Sequence, residues 1–217
     1  MPYSRDNPSP RYLELQQMYR QLHERGETHL GLQPEQTFNG VSLLPHLARI
    51  KAMITRTGAL TVLDYGCGKG QQYAPRPVKA DDGSTYEDVI DFWDVNSVHC
   101  YDPCYQPFSA LPQGTFDAVV CTDVLEHCSE QDVPWIIGEL FGYAERFVYA
   151  NVACYPARKQ LPNGENAHCT IRPLAWWEAI VRETAARRPG VVWQIWVQSR
   201  ADTPDGPRIV EQVIGAD

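Results

Sequence analysis

The chain alternates between short apolar runs and stretches where apolar residues return every three or four positions, the pattern of strands interleaved with helices. Val62 and Leu63 suit a strand buried on both faces. Arg11 to Arg25 sets Tyr12, Leu13, Leu15, Met18, Tyr19 and Leu22 at helical spacing, and Leu43, Leu44, Leu47, Ile50 and Met53 mark a second helix. Asp132 to Glu145 reads as a helix with Trp135, Ile136, Leu140 and Phe141 inward, followed by a strand over Arg146 to Ala153. Arg172 to Arg188 reads as a helix carrying Trp176, Trp177, Ile180 and Val181, with Pro173 near its start. Val191 to Gln198 and Ile209 to Ile214 then form an expected antiparallel hairpin around the turn Asp202 to Pro207. Met1 to Pro10 is polar and proline-rich and reads as a mobile arm, and Gly26 to Asn39 reads as loop.

The stretch from Thr61 to Gly70 carries the first chemical signal. An apolar run ends in Asp64 and passes into glycines at 66, 68 and 70, so a buried strand turns sharply with room for a ligand against bare backbone. The spacing is G-x-G-x-G, not the G-x-G-x-x-G of a dinucleotide site, which weighs against a nicotinamide or flavin oxidoreductase. A carboxylate at Asp64 would repel a diphosphate and favour an ammonium or sulfonium group.

Leu63-Asp64-Tyr65-Gly66-Cys67-Gly68-Lys69-Gly70 resembles the first motif of class I S-adenosylmethionine-dependent methyltransferases. Val98 to Asp102 looks like that family's second strand, ending in an acidic residue that bonds the ribose hydroxyls, and Phe116 to His127 is similar to its fourth strand and following loop. The resemblance covers roughly residues 40 to 200. It implies an α/β, doubly wound, mostly parallel sheet with helices on both faces, a Rossmann-like methyltransferase fold, and S-adenosylmethionine as cofactor. It places Asp64, Tyr65, Gly66, Cys67, Gly68, Asp102, Pro103, Thr122, Asp123 and Val124 at the cofactor. Tyr19, His23 and Phe38 become candidate lid residues, although ordinary helix packing accounts for their spacing as well.

Two stretches depart from the family pattern. Gly70 to Asp102 is too long for one helix and strand and contains Pro75, Pro77 and Asp81-Asp82-Gly83-Ser84. An insertion over about residues 74 to 97, with Tyr86, Phe92 and Trp93, could roof the substrate site or cover a sheet edge. Only Pro103 to Thr115 precedes the next strand, too short for the family's third strand and its helix, which points to a missing edge strand and leaves the adenine contact unassigned.

Composition narrows the rest. The 217 residues are 43% hydrophobic and 21% charged, fitting one domain with N-terminal arm and helices at 1–57 and a core at 58–217. A net charge of −8 argues against electrostatic binding to long nucleic acids or anionic membranes. No run approaches a membrane span and the N-terminus lacks a signal-peptide core, so the expected location is the cytoplasm. Seven cysteines without a C-x-x-C pair read as reduced core thiols rather than a zinc site.

Catalytic candidates are Glu126, His127 and His168, since methyl transfer to oxygen or nitrogen needs alignment and removal of a proton. Asp123-Val124-Leu125-Glu126-His127 with His168 is also similar to the arrangement in small-RNA 3′-terminal 2′-O-methyltransferases, and resembles part of the pattern in ubiquinone-pathway O-methyltransferases. That likeness implies Mg²⁺ or Mn²⁺ on Asp123, Glu126, His127 and His168. Arg158 and Lys159, in the polar loop Asn151 to Arg172, could grip a phosphate or carboxylate. The expected activity is methyl transfer to a hydroxyl, or secondarily an amine, of a small-molecule or sugar-containing acceptor. The alternatives are a metal-assisted RNA ribose methyltransferase and a non-catalytic cofactor-binding or scaffolding subunit.

Overall fold

The computed structural model describes residues 2–204 and 206–216. Its centre is a six-stranded sheet of β1 (Thr61–Tyr65), β4 (Ser97–Tyr101), β5 (Phe116–Thr122), β6 (Ala144–Cys154), β7 (Val192–Thr203) and β8 (Gly206–Ala216), in the order β4-β1-β5-β6-β7-β8. Every pairing is parallel except β7 with β8, the antiparallel hairpin. The hairpin is longer than its apolar run suggests: Asp202 and Thr203 belong to β7 and Pro207 to β8, while Asp205 lies outside the described residues.

Helices cover both faces. Leu43, Ile50, Met53 and Trp93, from α2 (Leu47–Thr57), α3 (Val89–Trp93) and the turn before α2, pack on Val62, Val120 and Tyr149. On the other face Ile136, Leu140, Trp177 and Val181, from α4 (Val133–Tyr143) and α5 (Leu174–Ala185), pack on Leu63, Val119, Val148 and Ile195. Alternate residues of β1 and β5 thus enter opposite cores, as a doubly covered parallel sheet requires. The second predicted helix begins as a 3-10 turn, Val41–His46, because Pro45 cannot donate to an α-helical ladder, and Leu44 is left exposed.

No strand lies beyond β4 among the described residues; Pro103 to Thr115 supplies only a 3-10 turn, Gln106–Phe108. After the glycine turn there is again only a 3-10 turn, Gln71–Tyr73. Residues 74–97 form a small hairpin of β2 (Val78–Lys79) and β3 (Thr85–Tyr86), followed by α3. Val78, Tyr86, Phe92 and Trp93 pack into the core beside α2, so this segment covers the sheet and lines none of the cavity described below.

The N-terminal segment is not a loose arm in this structure. Ser9 caps α1 (Pro10–Arg25) by accepting from Tyr12 N–H at 3.0 Å, while its own N–H donates to Asp132 Oδ1 at 3.0 Å and its hydroxyl to Asp132 Oδ2. Arg5 pairs with Glu139 on α4, donates to the hydroxyls of Tyr101 and Tyr65 at 3.0 and 2.8 Å, and lies 5.0 Å from the Trp135 ring centroid. These contacts lay α1 across the carboxyl end of the sheet. Among the described residues, no helix is long and apolar enough to cross a membrane.

Candidate functional site

After β1 the chain runs to β4 on one side and then to β5 on the other, so a crevice opens at the carboxyl ends of these strands. A cavity of about 160 Å³ occupies it. Asp64, Tyr65, Gly66, Cys67, Gly68, Asp102, Pro103, Thr122, Asp123 and Val124 all line this cavity. Gly66 and Gly68 hold φ of 87° and 60°, and the space a Cβ would need is taken by Val124 at 2.4 Å and by Phe38 O at 2.4 Å. The turn is therefore fixed by close packing as well as by backbone conformation.

Two buried carboxylates frame the turn. Asp64 Oδ2 accepts from Gln72 Nε2 at 2.9 Å and from Tyr73 OH at 2.8 Å. Asp102 accepts from Gly68 N–H at 3.0 Å and from Cys104 N–H at 2.8 Å. Burial pushes each carboxyl up to about 6, and the hydrogen bonds pull in the opposite direction. Both remain mostly ionised at neutral pH, so the floor is negative. Gln72 and Tyr73 carried no signal in the sequence, since their role depends on the 3-10 turn that replaces a helix.

Beyond β5, Asp123, His127 and His168 bring one ligand atom each within 4.8 Å of one another. His127 Nδ1 lies 2.9 Å from both Tyr19 OH and Ala167 O, and His168 Nδ1 lies 2.6 Å from Tyr155 O. A carbonyl only accepts, so each Nδ1 carries the proton and each Nε2 keeps its lone pair. Burial lowers His127 to about 4 and also lowers His168, so both rings are neutral at pH 7. Burial raises Asp123, but the neighbouring His127 and Glu126 outweigh it and the net shift is downward.

Glu126 lies apart from this group. It is fully buried, its Oε1 accepts from Ala153 N–H at 2.7 Å, and it does not line the cavity. Burial and the nearby Asp123 charge push its pKa far up, and its Oε2 is buried without a hydrogen-bond partner among the described residues. The sequence motif placed Glu126 among the metal ligands and catalytic groups; the structure instead sets it in the core, on the amide of Ala153.

The roof comes from α1 and two loops. Tyr19, His23 and Phe38 all line the cavity; Tyr19 OH donates to Ala167 O at 2.5 Å, and His23 Nε2 lies 3.9 Å from Asp102 Oδ2. Burial lowers His23 to about 3, so it is neutral. Tyr12, Leu15, Cys104, Cys128 and Ile136 form an apolar end that sequence reasoning missed, because it joins four separate segments. Lys159 also lines the cavity, whereas Arg158 is exposed.

No protein-family model matches the chain, and no curated protein matches it. Two solved structures are similar to it along most of its length. Magnesium protoporphyrin IX methyltransferase from Synechocystis PCC 6803, with bound SAH, is 17% identical over 91% of this chain and 93% of that one, with a TM-score of 0.44. An O-methyltransferase family protein from Burkholderia thailandensis is 13% identical over 95% of this chain and 67% of that one, with a TM-score of 0.47. Similarity at this level leaves the functional reading to the residues of the cavity themselves.

Proposed function

We propose that this protein is an S-adenosylmethionine-dependent methyltransferase acting on a hydroxyl, or secondarily an amine, of a small-molecule or sugar-containing acceptor. The observation that carries the reading is one cavity that joins an acid-flanked glycine turn to a histidine with a free Nε2 lone pair. The residues fit such a cofactor: Gln72 Oε1 and His23 Nδ1 both belong to cavity-lining residues, are buried, and have no hydrogen-bond partner among the described residues. S-adenosylmethionine, when bound, supplies an electrophilic methyl group on a sulfonium cation.

The chain's own residues have three tasks. Asp64, Asp102 and Asp123 give the floor the negative potential that favours a cation. Gly66 and Gly68 let the backbone make the tight turn that lines the cavity under Val124 and Phe38, and Asp102 is held by two backbone N–H groups so that its carboxylate is pre-oriented. His127 Nε2 accepts the acceptor's proton, while Ala167 O and Tyr19 hold Nδ1–H and fix the tautomer. Asp123, close by, stabilises the imidazolium that results.

A second reading, metal-assisted methylation of an RNA ribose, draws on the convergence of Asp123, His127 and His168, each imidazole tethered through Nδ1 to a backbone carbonyl as metal ligands commonly are. Two imidazoles and one carboxylate suit Mn²⁺ better than Mg²⁺, which prefers oxygen. Turnover that survives exhaustive chelation excludes this version.

Calorimetric titration with S-adenosylhomocysteine tests the main reading. Saturable binding that Asp102→Ala abolishes is the expected result. A folded wild-type protein that takes up no S-adenosylhomocysteine overturns it.

A further inference from the structure

The cavity has three acidic groups and a single basic side chain. Asp64, Asp102 and Asp123 line it, and Lys159 is the one lysine or arginine that does so among the described residues. Among the described residues the Lys159 ammonium donates no hydrogen bond and pairs with no carboxylate; it lies over the Phe38 ring, with Nζ 4.7 Å from the centroid. Burial lowers its pKa against the pull of Asp123 and Glu27. A half-buried ammonium that no acceptor atom contacts directly is poorly compensated, and a bound anion offsets that cost.

Its backbone is fixed. Lys159 O accepts from Ala167 N–H at 3.2 Å, and the next residue, Gln160, donates its N–H to buried Glu27 at 3.3 Å. Its charge acts on Asp123, His127 and His168 and also on His23, which lies 3.9 Å from Asp102, whereas the charge that acts on Asp64 comes from Asp102. Lys159 therefore reaches the histidine pair where the proton is taken as well as the His23 end, and leaves the β1 carboxylate to its neighbour Asp102.

We propose that Lys159 holds a carboxylate or phosphate carried by the methyl acceptor, which makes the acceptor class hydroxyl compounds with an acidic group close to the methylated position. This deepens the methyltransferase reading and rests on it. The cofactor also carries a carboxylate, so the experiment separates the two sources.

Protein loaded with S-adenosylhomocysteine is titrated with inorganic phosphate and with acetate, as wild type, Lys159→Met and Lys159→Arg. Thermal unfolding serves as the check that each variant folds. At least one anion should bind the wild type saturably, bind about tenfold or more weakly to Lys159→Met, and recover in Lys159→Arg. Affinity for S-adenosylhomocysteine should change by less than about twofold. Absence of anion binding to the loaded wild type, or equal binding to Lys159→Met, overturns the proposal. So does a Lys159→Met protein that loses affinity for S-adenosylhomocysteine but not for its decarboxylated analogue, because the lysine then serves the cofactor. Lys159-dependent phosphate binding by a wild type that takes up no S-adenosylhomocysteine keeps the anion site and removes the methyltransferase reading.

Discussion

The floor and the roof of the cavity are built by different means. On the floor, position follows from backbone: β1 pairs with β4 and β5, Asp64 sits opposite Cys100 and Val120, and Asp102 is tied to the amides of Gly68 and Cys104. On the roof, position follows from side chains that meet across long stretches of sequence, such as Tyr19 with His127 and Lys159 with Phe38. Backbone-defined geometry has few ways to adjust, whereas a side-chain roof can repack. The floor should therefore break on small changes, and the roof should yield by degrees.

The largest effect is expected where the two meet. His127→Ala should lower turnover of an acceptor by about 100- to 10,000-fold, the usual contribution of a general base, with affinity for S-adenosylhomocysteine intact. Equal losses of turnover and cofactor affinity would assign His127 to binding instead. Gly68→Ala comes next. A methyl group there meets Phe38 O at 2.4 Å in a left-handed backbone, and the expected cost is about 2–4 kcal/mol. It should appear as weakened S-adenosylhomocysteine binding in calorimetry together with a lower Tm; unchanged values would mean that the floor can adjust after all.

A pH comparison sharpens the same contrast. Burial raises Asp102 from an ordinary 3.8 to about 6, so its contribution to stability is full below about 3.8 and is lost as pH rises through about 6. Asp102→Asn does not titrate and should gain on the wild type between those limits, by up to about 3 kcal/mol in denaturant unfolding. A variant that loses ground as pH rises would show that the ionised carboxylate is compensated more fully than its burial implies. The smallest effect belongs to the roof. Tyr19→Phe removes one hydroxyl from the Ala167 and His127 contacts and should cost about 1 kcal/mol, roughly a fivefold drop in turnover.

The same contrast explains what could be read without the structure. The floor was legible because Asp64 to Gly70, Asp102 and Thr122 to Val124 act where strands end, and strand ends are marked locally by apolar runs that stop at acids and glycines. The missing strand after Asp102 was legible from chain length alone. Glu126 was misplaced because its motif spacing matches a ligand, while only the structure reveals that Ala153 N–H claims its carboxyl. The N-terminal arm was misread for a similar reason. Polar, proline-rich composition is that of a loose segment, and nothing near it announces that Arg5 and Ser9 meet Glu139 and Asp132, both more than a hundred residues later.

That arm anchors one side of the cavity's cover. With Ser9 and Arg5 fastened to Asp132 and Glu139, the first turn of α1 is the fixed edge of the roof. Another stretch of the rim is Asn39 to Ser42, where Val41 is 60% exposed and none of the four residues is fully buried. Loosening the arm, as in Arg5→Ala, would take away the anchor that the more exposed rim lacks, leaving the cavity without a fastened edge.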